Sequence, residues 1–136
     1  MSGPSAGELV AQARTARTRA YAPYSGFMVG AALLTDGGDV VTAANVENAS
    51  YGLAMCAERS ALFAAVAAGY RRFDAIAVAG NGSEPVTPCG ACRQVLREFP
   101  LGPDLRVLCA GEDGDKLLET TLGELLPASF GPEALG

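Results

Sequence analysis

The chain reads as a three-layer α/β fold: a mixed five-stranded sheet between layers of helix. Short apolar runs alternate with Ala-rich stretches of helical spacing, in the order α-β-β-α-β-α-β-β. The first two runs flank Asp36-Gly37-Gly38, which is hairpin chemistry and so antiparallel. The later runs are separated by helices, and strand–helix–strand units bring parallel pairing and right-handed crossovers. A hairpin at one end and a returning last strand at the other add antiparallel edges. At about 100–200 residues per domain, residues 1–136 form one domain.

Each element has its own signal. Ser5-Ala6-Gly7-Glu8 has the spacing of a capping box, and Leu9, Val10, Ala13, Ala16 and Ala20 follow at near-helical spacing, so the first helix spans 5–20. Ala22-Pro23-Tyr24-Ser25-Gly26 breaks it. Residues 28–35 and 39–46 are the hairpin strands. The Ala-rich stretch 56–68 is a helix with Gly69 just past its end. Residues 73–79, Phe-Asp-Ala-Ile-Ala-Val-Ala, form a short buried strand, and 80–88 a loop. A helix over 89–98 is stopped by Pro100, and 105–110 and 116–120 are strands around a Gly111–Gly114 turn. A helical turn over 122–126 leads into an apolar, turn-rich tail, Ser129-Phe130-Gly131-Pro132-Glu133-Ala134-Leu135-Gly136.

Composition excludes more than it suggests. The chain has no histidine, which removes Ser-His-Asp and Cys-His catalysis and every His-ligated metal site. Ten basic and fifteen acidic groups leave a net charge of −5, against nucleic acid and in favour of a small neutral or cationic substrate. No basic segment followed by an apolar run opens the chain, and the uncharged run 20–35 is interrupted by Pro and Gly and is shorter than the roughly 18 residues a membrane helix needs. A cytoplasmic, soluble protein with no membrane partner is expected. There the four cysteines stay reduced, and clustered ones are metal-binding or redox-active.

Two segments carry chemistry: Met55-Cys56-Ala57-Glu58-Arg59 and Pro88-Cys89-Gly90-Ala91-Cys92-Arg93. Each opens a helix after a loop. Cysteines at i and i+3 of a first turn can present both sulfurs to one ion, and a third thiolate at the start of another helix makes three ligands. Three ligands leave tetrahedral zinc one open position for water, the catalytic pattern. Glu58, in the first turn beside Cys56, can reach that water without being a ligand. Three thiolates and Zn²⁺ sum to −1, and Arg59 is the candidate cation to offset it by donating to the sulfurs. A redox dithiol at Cys89–Cys92 and a zinc-stabilised binding module are the rivals. A structural four-cysteine site would need Cys109, which sits inside an apolar strand and reads as core.

Nearly the whole chain resembles a cytidine deaminase of the small, three-cysteine, homotetrameric kind. The similarity lies in Ala20-Tyr21-Ala22-Pro23-Tyr24-Ser25, in Asn45-Val46-Glu47-Asn48, in Cys56-Ala57-Glu58-Arg59, in Pro88-Cys89-Gly90-Ala91-Cys92-Arg93-Gln94-Val95-Leu96 and in the Ser129-to-Glu133 tail. It implies zinc on Cys56, Cys89 and Cys92 and proton transfer by Glu58, the pattern of zinc deaminases with a non-ligating Glu. It also implies ribose contacts from Asn45 and Glu47, base contacts from Phe27 and Ala57, and Tyr51 and Phe130 completing a site across a subunit interface. The implied reaction is hydrolysis of cytidine and deoxycytidine to uridine and deoxyuridine, as in pyrimidine salvage. The rival within that chemistry is a related aminohydrolase acting on a cytosine-containing antibiotic, and the Asn45–Glu47 pair and the Ser129-to-Glu133 tail favour the nucleoside.

Overall fold

Helix α1 (Ala6–Arg17) begins at its capping box: Glu8 N–H donates to Ser5 Oγ at 3.2 Å and Ser5 N–H to Glu8 Oε1 at 2.8 Å. The computed structural model describes residues 3–135. The helix stops three residues short of the predicted end. Thr18 Oγ1 donates back to Thr15 O at 2.7 Å, and the chain leaves through a tighter turn.

Strands β1 (Val29–Thr35) and β2 (Val40–Ala44) form the expected hairpin, with Gly38 at φ 93° in its turn. Helix α2 (Ala57–Ala67), β3 (Phe73–Gly80), α3 (Gly90–Leu96), β4 (Arg106–Ala110), β5 (Leu117–Thr121) and the short α4 (Leu122–Leu125) follow in the predicted order. Single 3-10 turns occupy Tyr51–Leu53, Gly102–Asp104 and Pro132–Leu135. The sheet order is β2-β1-β3-β4-β5. Only β3 and β4 pair in parallel; the other neighbours are antiparallel. The α2 crossover therefore joins strands of the same direction, β2 and β3, with β1 inserted between them, and the hairpin supplies a central strand as well as an edge. Strand β1 is buried along its whole length for that reason.

The two faces of the sheet differ in residue size. Toward α2 and α3 point Val29, Ala31, Leu33, Ile76, Val78, Val107 and Cys109; toward α1 point mostly alanines, Ala32, Ala75, Ala77, Ala79 and Ala110, with Leu34 and Leu108. The alanines let α1 lie close. Gly30 takes this furthest: a Cβ there would stand 2.0 Å from Ala13 O and 2.5 Å from the Arg17 backbone nitrogen. Since the obstacle is helix backbone, Gly30→Ala is expected to cost about 3 kcal/mol, the upper end for overpacking. A urea midpoint matching wild type would show that α1 yields freely.

Among the described residues no helix is long and apolar enough to cross a membrane. Cys109 lies in the α2 face of the core, fully buried.

Candidate active site

Strands β2 and β3 run the same way, so α2 and α3, which follow them, both begin at the same edge of the sheet. Open α/β sheets place their ligand crevices outside such carboxyl edges. Each helix is led into place by a backbone pair. Val46 and Met55 exchange hydrogen bonds at 3.0 and 2.9 Å, pinching the 47–54 loop closed just before Cys56. Val86 N–H donates to Ala110 O at 3.4 Å, tethering the loop before Cys89 to β4.

Cys56 is the N-cap of α2 and Cys89 the N-cap of α3, and neither thiol caps its own helix. Both are therefore free to face one another. Cys56 Sγ lies 3.6 Å from Cys89 Sγ, and Cys89 Sγ lies 3.2 Å from Cys92 Sγ. All three sulfurs sit within 4.8 Å of each other, and no disulfide joins them. Tetrahedral zinc with Zn–S of about 2.3 Å spaces its sulfurs about 3.8 Å apart, so the set fits the ion with little adjustment. Its electrostatics ask for one. Burial, reinforced by the Glu58 charge, pushes the Cys92 thiol up. Burial also opposes ionisation of Cys89, but hydrogen bonding, including that with the Cys92 and Cys56 side chains, outweighs it and draws that thiol down. A divalent cation relieves such a crowd of thiols beside a carboxylate.

Glu58 points inward from the first turn of α2 and is 4% exposed. Burial raises its carboxyl above the ordinary range; its own backbone N–H, the Cys92 thiol and the Arg59 charge offset this only in part. Arg59 Nη2 donates to Cys56 Sγ at 3.5 Å, and this bond to sulfur pushes the guanidinium further above its usual range. Its Nε is buried with no partner. The predicted neighbourhood of a thiolate set, a carboxyl and an arginine is thus present in one place.

The family model for the cytidine and deoxycytidylate deaminase zinc-binding region matches residues 5–104. The chain belongs to that deaminase family. It is similar to a cytidine deaminase of Halalkalibacterium halodurans, 51% identical over 92% of this chain and 93% of that one. A cytidine deaminase of Sporosarcina psychrophila is 47% identical over 94% and 93%. The crystal structure of a cytidine deaminase from Burkholderia pseudomallei superposes with a TM-score of 0.88 at 52% identity, covering 93% of this chain and 100% of that one. The fold is the deaminase fold, and the family is a zinc-binding one.

In this family member the three-cysteine group lies beside a cleft of about 230 Å³. The helix starts bring Cys56, Cys89, Ala57 and Glu58 to its lining, and the segments flanking the hairpin bring Phe27, Asn45 and Glu47. Asn45 is the keystone of that second group. Its Nδ2 donates to Phe27 O at 2.9 Å and its Oδ1 accepts from Val29 N–H at 2.9 Å, holding the segment that carries Phe27. Glu47 accepts from Tyr24 N–H at 2.9 Å, Ser25 N–H at 3.2 Å and the Ser25 hydroxyl. The Ser25 hydroxyl does most to hold its carboxyl below the usual range; burial opposes this, and the Tyr24 and Ser25 N–H groups add to the lowering. Tyr51 stands instead over an adjoining cleft with Tyr24, Ser25, Asn48 and Ala54, 76% exposed and edge-on to Tyr24. Phe130 lines neither cleft: Gln94 Nε2 donates to its carbonyl at 2.9 Å, and its ring is 60% exposed. Val86 and Thr87 also line the main cleft and carry no residue-type signal; their place just before Pro88-Cys89 was the only pointer.

Proposed function

We propose that this protein is a cytidine deaminase that hydrolyses cytidine and deoxycytidine to uridine and deoxyuridine with release of ammonia. One observation carries the reading: a buried carboxyl, Glu58, lines one cleft together with two of three converging thiols and with Phe27, Asn45 and Glu47. Cys56, Cys89 and Cys92 hold the zinc, and the bound ion supplies a Lewis acid that makes water a nucleophile at neutral pH. Glu58 takes the proton of the attacking water and delivers it to N3 of the cytosine, which makes C4 electrophilic. The water oxygen bonds to C4. Glu58 then takes the proton of the new C4 hydroxyl and passes it to the exocyclic amine; the C4=O double bond forms as the C4–N bond breaks, and ammonia leaves. Burial raises the carboxyl's proton affinity, as a carrier of protons needs. Arg59 offsets the negative charge of the thiolate set.

The second group of lining residues orients the nucleoside. After its two backbone bonds, Asn45 retains one N–H and one acceptor position for a ribose hydroxyl. Glu47, ionised by its three donors, accepts from another. Phe27 and Ala57 bound the base. The test is zinc content together with loss of cytidine ultraviolet absorbance in purified protein. Full activity without metal would reject the reading, and zinc without turnover would leave a zinc-stabilised binding module.

We read residues 1–136 as one domain, on the strength of a single sheet with both faces covered. A cytoplasmic setting follows from thiols that must stay reduced to bind metal. The assembly is read as a homotetramer with shared sites. Tyr51, Leu53 and Phe130 stand exposed beside or beyond the cleft, a surface that a second copy covers. The tail's backbone is anchored at home: Arg97 Nε donates to Ser129 Oγ at 2.8 Å, and its guanidinium also pairs with Glu133. That anchoring leaves the Phe130 ring free to reach a neighbour. Glu58→Gln chains reassembled with Phe130→Ala chains are expected to regain part of the activity each lacks. No recovery in verified mixed oligomers would confine each site to one chain.

A further inference from the structure

Arg93 follows Cys92, and its side chain turns back onto the loop that leads into α3. Its Nε donates to Pro88 O at 2.7 Å, Nη2 to Thr87 Oγ1 at 3.3 Å, and Nη1 to Leu125 O at 2.7 Å. The two carbonyls need such a donor. Pro88 is fully buried, and its carbonyl falls outside the helix ladder, whose first acceptor is Cys89 O. Leu125 O belongs to the last turn of α4, where carbonyls have no partner within the helix. One planar guanidinium meets all three acceptors at once, which an ammonium on a flexible stem does not match.

We infer that Arg93 is a positioning residue for the metal site. By fixing Thr87 and Pro88 it sets where the Cys89 thiol stands, and by holding Leu125 it ties the C-terminal segment to the helix that carries two of the ligands. It acts through the loop, without touching substrate. The inference rests on the zinc reading above, and its test separates the two. Zinc-loaded wild type, Arg93→Met, Arg93→Lys and Arg97→Met are mixed with a chromophoric chelator below the unfolding temperature of each, and the rate of zinc transfer is recorded beside kcat and KM for cytidine. Arg97, one turn further along α3, bonds Ser129 and Glu133 and leaves the Cys89 loop alone.

Arg93→Met is expected to release zinc about 10-fold faster, the lower end for outer partners of a metal site, with the loss of activity falling on kcat rather than KM. Arg93→Lys recovers part of the difference, and Arg97→Met releases zinc at close to the wild-type rate. Thr87→Val, which removes one of the three bonds and keeps the side-chain shape, gives a smaller acceleration and serves if Arg93→Met does not fold. Wild-type release rates in Arg93→Met or Thr87→Val overturn the inference. So does equal acceleration in Arg97→Met, which would reduce the effect to general loosening of α3. Wild type that takes up no zinc overturns the zinc reading itself.

Discussion

Glu58→Gln is expected to lower cytidine turnover by at least about 10²-fold while zinc content and fold stay as in wild type. That factor is the lower end of what a positioned general acid–base contributes. The amide keeps the volume of the buried side chain but carries no exchangeable carboxyl proton. The site offers no substitute: the chain lacks histidine, and Glu47, the other acidic side chain lining the cleft, is already engaged with Tyr24 and Ser25. Steady-state rates on zinc-quantified protein make the measurement. Turnover near wild type in a zinc-loaded Glu58→Gln enzyme would falsify the proton-carrier role.

Cys92→Ala should do more, removing both the metal and the reaction. Cys92 is the fully buried member of the trio, with its sulfur 3.2 Å from that of Cys89. Without it two thiolates remain, too few to hold zinc in the three-ligand arrangement of a catalytic site. Zinc per chain is expected to fall from about one to near zero after dialysis against a chelator, and cytidine turnover to fall with it. Cys109→Ala is the matched control. That side chain is equally buried but belongs to the α2 face of the core, and burial, with the Glu58 charge behind it, lifts its thiol to about 11. Its removal should lower the unfolding midpoint and leave zinc in place. Zinc retained and turnover intact in Cys92→Ala would dismiss the three-thiolate site.

Much of this was legible from local pattern. The capping box at Ser5 and the Asp36-Gly37-Gly38 turn hold as read, because each depends on residues within a few positions of one another. The same is true of Cys89 and Cys92, whose i, i+3 spacing at a helix start brings their sulfurs together whatever the rest of the chain does. Helix ends were less legible. Whether the chain continues to residue 20 or turns out at Thr18 depends on one hydroxyl competing for a carbonyl.

Residue types and spacing by themselves pointed to the layer architecture, to Cys56, Cys89 and Cys92 as a candidate ligand set and to Glu58 as the candidate acid–base group: with no histidine, the clustered thiols and the first-turn Glu beside them stood out. Tertiary structure alone decided the rest. Cys56 meets Cys89 across 33 positions because β2 and β3 run parallel on either side of β1, which brings two helix starts to one edge. It decided that the Asn45 amide braces Phe27 and Val29 as well as facing the cleft, and that Tyr51 and Phe130 stand outside it. It decided, too, that Arg93 joins the Cys89 loop to Leu125. The division has a physical cause. Periodicity and spacing report on neighbours within a turn or two, where geometry follows from backbone dihedrals. Contacts between distant segments follow from strand register and from which faces bury against each other, and those emerge only when the whole chain packs.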